Sequence, residues 1–169
     1  MSTEKTAPSG TDIHDVPILV RRKIEAMILK HVLEVITDRT DRAEAEAVIG
    51  EACSRSAIEQ GKQLAETLGR TPGFADFAAI QPNWTREDAL EIETLEVSEE
   101  KFDFNVTRCR YSEAYKEMGL GDIGHLLSCN RDGDFCIGYN PDMELIRTQT
   151  LMKGASHCDF RYRMKTKKD

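Results

Sequence analysis

The stretch Lys101–Cys109, "KFDFNVTRC", sets Phe102, Phe104 and Val106 alternately against Asp103, Asn105 and Thr107. Successive side chains of a strand point to opposite faces, so this alternation demands a half-buried strand with something apolar to cover it. Just upstream, "ALEIETLEV" alternates Leu90 and Ile92, then Leu95 and Val97, with one slip of phase at Thr94. The intervening "SEEK" reads as a solvated hairpin turn. A second pair of strands is expected from "LIRTQTLMKG", Leu145 to Gly154, and "SHCDFRYRMK", joined around Gly154-Ala155. On the last strand Cys158, Phe160, Tyr162 and Met164 share one face while His157, Asp159, Arg161 and Arg163 share the other. The run His157-Cys158-Asp159 is therefore no contiguous triad, and any chemistry at Cys158 must recruit partners from elsewhere.

Ahead of the strands the period changes from two to between three and four. A helix is expected from near Asp15, with Pro17 tolerated in its first turn and Val20, Ile24, Met27, Ile28, His31 and Val35 as its apolar stripe. Asp41, with Glu44 three residues on, has the pattern of a capping box and opens a longer Ala-rich helix ending at Leu68 before Gly69. "GRTPGFADFAAIQPNW" reads as a linker with one helical turn, and Trp84 as a plug over the sheet. Short helices are expected at Ser112–Met118 and from near Asp122 to before "RDGD", with "DFCIGYN" left as a loop. The whole is an α+β fold, N-terminal helices packed on a roughly four-stranded antiparallel sheet with short intervening helices. Residues 1–12 read as a disordered leader, 13–165 as a single domain (helical over 13–80, sheet-containing over 85–165) and 166–169 as a tail.

Of the 169 residues, 40% are hydrophobic and 31% charged, enough for one self-sufficient core. No run of about 18 apolar residues and no apolar N-terminal segment is present, so the expectation is a cytoplasmic protein without a membrane partner. The five cysteines, an odd number, are then expected to be thiols. Residues 1–100 carry 11 Lys/Arg against 20 Asp/Glu, and the remainder 12 against 10. Such a balance disfavours a nucleic-acid partner, which needs a clustered basic face, but permits an anionic small molecule.

Three cysteines lie where they could converge at one end of the sheet: Cys109 at the end of its strand, Cys129 beside Asp132, and Cys158 between His157 and Asp159. Cys53 and Cys136 read as core thiols. The trio's spacing matches no zinc finger or ribbon, so packing, a catalytic thiol and a metal site all remain open.

Cys109 followed by Tyr111, "SCNRD" from Ser128 to Asp132, "RTQT" from Arg147 to Thr150, and Gly154 with His157-Cys158-Asp159-Phe160 together resemble the L-2-amino-thiazoline-4-carboxylic acid hydrolase family, most densely over Phe104–Tyr162. The resemblance implies a hydrolase acting on cyclic amidines or a related C–N/C–S ring, converting for instance 2-amino-thiazoline-4-carboxylate to N-carbamoyl-cysteine. Under it Asp132 or Asp159 would hold the amidinium, and Arg147, Arg108 or Arg161 the substrate carboxylate, with Arg147 preferred and Tyr111 touching substrate. Three mechanisms remain. Cys158 attacks with His157 or His125 as base; or Cys109, Cys129 and Cys158 bind Zn²⁺, which activates water; or the cysteines pack and the acids do the work. A homodimer is compatible with two amphipathic helices. A weaker architectural resemblance, to the small-molecule-binding domain of 4-vinyl reductases, implies instead a non-catalytic sensor of a ligand or metal.

Overall fold

A computed structural model describes residues 12–165, so residues 1–11 of the leader and the tail, 166–169, lie outside the described residues. After a short turn at Ile13–Asp15 come α1 (Ile18–Arg39) and α2 (Arg42–Glu66), and then α3 (Phe74–Ile80) and α4 (Pro82–Thr85). The hairpin β1 (Leu90–Val97) and β2 (Lys101–Cys109) leads into α5 (Arg110–Glu117), a wide turn at His125–Cys129, α6 (Arg131–Tyr139), β3 (Met143–Ile146) and β4 (Cys158–Met164). The four strands form one antiparallel sheet in the order β1-β2-β4-β3. The fold is α+β.

Helix α2 starts where its sequence says, the Asp41 carboxylate accepting the Glu44 N–H at 2.9 Å. The phase slip anticipated at Thr94 is a register shift between Thr94 and Glu96. Four local readings change. The α1 stripe is rotated: Ile24, Met27, Ile28 and Val35 are exposed, while Ile18, Leu19, Arg22, Ala26 and Leu33 are buried. The supposed linker holds two helices, α3 and α4, because Phe74 and Phe77 bury against the sheet. The segment "RDGDFCIGY" is helical rather than loop, and β3 ends at Ile146, before Arg147.

Helix α6 contains Gly133 and Gly138, which count against a helix in isolation. Tertiary packing overrides that cost. A Cβ on Gly138 would lie 1.9 Å from the Ile58 carbonyl oxygen, and one on Gly61 would lie 2.2 Å from that of Phe135. The two glycines thus let α2 and α6 touch backbone to backbone.

Two apolar clusters result. One joins α1, α2, α5 and the wide turn through Leu33, Ile49, Tyr115 and Leu127. The other covers the inner sheet face, where Phe104 and its cross-strand partner Phe160 stack at 4.7 Å and 12°. Each buried aromatic there contributes about 2–3 kcal/mol. Trp84, Leu90 and Cys109 pack against both clusters. The clusters do not meet completely, and the gap between them is the site.

Candidate functional site

A cavity of about 110 Å³ lies at this seam, floored by Phe102, Phe104, Phe160 and Tyr162 and walled by Trp84 and Phe135. A ring-sized molecule fits a space of this order. Its polar groups come from the segments that frame it. Cys109 ends β2 and caps α5, its sulfur accepting the Ser112 N–H at 3.4 Å. Cys129 ends the wide turn, and Asp132 sits in the first turn of α6. Arg147 follows β3, and Cys158 opens β4.

Arg147 organises the polar wall. It donates to Asp132 at 2.6 Å and to the Cys129 carbonyl at 2.8 Å, and its guanidinium lies 4.8 Å over the Phe160 ring. Burial drives the Asp132 carboxyl above its ordinary range, with Arg147 pulling the other way. Burial also acts against the Arg147 charge, but Asp132 more than offsets it and holds the guanidinium protonated. Of the residues lining the cavity, Asp132 is the one carboxylate.

The thiols are not activated. Burial pushes Cys109 up to about 11 and Cys129 up to about 12. It raises Cys158 too, opposed by the Leu151 N–H, which its sulfur accepts at 3.2 Å, and by Arg147. The three thiols are close enough to influence one another's ionisation. Even so, among the described residues no group of three or more His, Cys, Asp or Glu side chains is arranged to hold a metal ion. All five cysteines are free thiols.

Cys109, Cys129, Cys158, Asp132, Arg147 and Tyr111 therefore share one cavity, although the Tyr111 hydroxyl is spent on the Trp84 carbonyl at 3.1 Å. His157, Asp159 and Arg108 do not line it. The Asp159 carboxylate accepts the Thr148 and Gln149 N–H groups, each at 2.9 Å, and the Thr148 hydroxyl. Against the pull of burial, these bonds hold its carboxyl below the usual range. Its work is to fold the loop that delivers Arg147. His157 contacts Gln149 and Ser156, and Arg108 pairs with Glu113 in solvent. Arg161 donates to Phe104 and Asn105 on the outer face, and His125 also lies outside the cavity.

Sequence reasoning missed Arg22 and Arg131, both buried at the cavity's edge. Arg22 lies between Val20 and Ile24 on the face opposite that stripe, and its burial follows from the rotation of α1. Arg131 was visible within "SCNRD" but was overshadowed by its neighbour Asp132.

The family model described as L-2-amino-thiazoline-4-carboxylic acid hydrolase matches residues 21–162. No curated protein matches the chain. Among solved structures, a trafficking protein particle complex subunit 3 from Naegleria fowleri, covalently bound to palmitic acid, is 10% identical, with a TM-score of 0.51 over 86% of this chain and 96% of that one. The phenol-responsive sensory domain of the transcription activator PoxR, solved with phenol, is 15% identical, with a TM-score of 0.47 over 85% of this chain and 74% of that one. No helix among the described residues is long and apolar enough to cross a membrane.

Proposed function

Because the chain belongs to the L-2-amino-thiazoline-4-carboxylic acid hydrolase family, we propose that it opens a small cyclic amidine bearing a carboxylate, with 2-amino-thiazoline-4-carboxylate as the reference substrate. The observation that carries this reading is the Asp132–Arg147 pair, one anion and one cation on the wall of a ring-sized apolar cavity. A zwitterionic ring matches it charge for charge. The substrate amidinium replaces Arg147 at Asp132, and the freed guanidinium takes the substrate carboxylate at two points. The new ion pairs form in a low-dielectric space, where they discriminate strongly against neutral rings.

In this arrangement Cys158 is the nucleophile. Its sulfur adds to the amidinium carbon, its proton passes to Asp132, and the carbon–sulfur bond of the ring breaks as Asp132 returns that proton to the leaving sulfur. Water then adds to the carbon of the enzyme-bound adduct, giving one proton to Cys158 as it leaves as the thiol and the other to Asp132, and the product is the N-carbamoyl amino acid. A carboxyl raised by burial suits a group that must both accept and return a proton. The thiolate, costly in the free cavity, is stabilised by the Leu151 N–H and Arg147 as it forms.

The test is to incubate the protein with 2-amino-thiazoline-4-carboxylate and follow N-carbamoyl-cysteine by mass spectrometry, with Asp132→Asn as the control. Turnover lost in a folded Asp132→Asn protein supports the assignment. Saturable binding without product supports a second reading, a small-molecule-binding domain, which the raised thiols and the aromatic lining favour.

A further inference from the structure

A larger, polar space of about 770 Å³ adjoins the cavity, framed by the start of α1, by α2 and by α4. Ile18, Arg22, Gln60 and Arg131 line both spaces and stand at the boundary between them. Four arginines, Arg21, Arg22, Arg86 and Arg131, line this vestibule against two glutamates, Glu25 and Glu59, on a chain whose net charge is −7. Local positive charge on an acidic protein is a feature to be accounted for.

Arg131 is 8% exposed and forms no salt bridge among the described residues. Its contacts are neutral, the Cys53 carbonyl and the Ser56 hydroxyl, each at 3.2 Å. Of five guanidinium donors, only two are used. Arg22, 6% exposed, gives one arm to Glu25 at 2.5 Å and one to Gln60 at 3.3 Å. Arg21 holds a buried Nε with no hydrogen-bond partner. Burial and the neighbouring Arg22 both weaken the Arg131 charge, with Glu25 the principal counterweight. Buried charges are normally paired, and these two adjacent buried guanidinium groups share the half-exposed Glu25 and the field of Asp132, a carboxylate already paired with Arg147, which leaves this corner short of an anion.

We propose that the junction of vestibule and cavity binds a small amphipathic carboxylate, its ring or short apolar body inside the aromatic cavity and its anion held by Arg22 and Arg131. The site is distinct from the Asp132–Arg147 wall, and it does not depend on the hydrolase reading, since a binding protein would use it equally. If the hydrolase reading also holds, such a carboxylate competes with the cyclic amidine, because both need the cavity.

The test uses benzoate as probe, its neutral isostere benzamide as control, and the fluorescence of Trp84, the only tryptophan, which lines the cavity. Benzoate is expected to bind the wild-type protein at least about tenfold more tightly than benzamide, the worth of a charged hydrogen bond. Arg131→Gln and Arg22→Gln, each confirmed folded by circular dichroism, are expected to abolish that preference, whereas Arg108→Gln, at an exposed arginine that lines neither space, preserves it. Equal affinity for benzoate and benzamide in the wild type overturns the proposal without any variant. So does a preference for benzoate lost in Arg147→Gln and kept in Arg131→Gln, or no benzoate binding up to about 10 mM. Failure of turnover on the amidine leaves these outcomes untouched.

Discussion

Replacing Arg147 with methionine removes a cation that is 12% exposed while leaving its carboxylate partner in place. Breaking a buried pair on one side costs about 3–5 kcal/mol when the remaining charge has no other help. Asp132 has some: its side chain is 31% exposed, and Arg131 and Arg22 still act on it. That reduces the cost to about 2 kcal/mol. The Cys129 carbonyl loses a charged donor, about 1 kcal/mol, and Phe160 loses its cation, about 0.5–1 kcal/mol. Methionine refills the apolar stem and returns about 1 kcal/mol. The expected net destabilisation is about 3 kcal/mol at neutral pH, read from urea unfolding. Without Arg147 the folded-state pKa of Asp132 rises further. A raised carboxyl adds stability that is complete below its unfolded pKa and disappears as pH rises through the folded pKa, so the variant's deficit should shrink on acidification. Arg147→Met combined with Asp132→Asn should cost less than the two single changes together, by about 1.5 kcal/mol. A loss under about 0.5 kcal/mol at both neutral and acidic pH, or strict additivity of the pair, would refute the view that this ion pair is buried and coupled.

Arg147→Lys should bind a carboxylated amidine about tenfold more weakly, because an ammonium cannot match the planar two-point contact, and unchanged affinity by calorimetry removes Arg147 from the substrate site. Cys158→Ser and Cys158→Ala should fold, by circular dichroism, yet lose ring-opening activity; full turnover in either makes Cys158 a packing residue. Asp159→Asn should cost about 1 kcal/mol through the Thr148 and Gln149 bonds, and that cost should vanish as pH falls through the depressed carboxyl pKa; urea melts at neutral and strongly acidic pH check it. Cys109 and Cys129, with thiols near 11 and 12, should resist iodoacetamide at roughly pH 8 in the native protein and react once unfolded, as peptide mapping would show.

Strand alternation made the sheet legible, because a period of two in Phe102–Val106 and Cys158–Met164 has no competing explanation. The Asp41 cap was legible for the same reason: a local hydrogen bond needs only local sequence. Helix α1 was not, since its exposed Ile24, Met27 and Ile28 form as regular a stripe as the buried residues do. Only the position of α2 decides between them. Helix α6 was obscured by Gly133 and Gly138, and at Gly138 the local meaning as a breaker is reversed by a long-range contact with α2. At the site, Cys109, Cys129, Asp132, Arg147 and Cys158 were found through motif resemblance and strand ends. His157 and Asp159 were drawn in by adjacency to Cys158, yet strand parity sends them to the far side. Arg22 and Arg131 escaped because the burial of a charge is a property of the packed molecule alone.

The contact of Gly61 with α6 and of Gly138 with α2 bears on how the protein comes into being. These glycines join helices from opposite sides of the hairpin in the chain, so the pair can dock only after a long loop has closed, at an entropic cost met late in folding. Helix α6 carries Arg131 and Asp132, which reach the sheet only once that docking is complete. The β1–β2 hairpin can form earlier from local contacts, but it then exposes its aromatic face without the polar wall opposite. The cavity is thus expected to be among the last features to assemble and the first to dissolve, and a ligand lodged there would stabilise the closed chain as a whole instead of any single element.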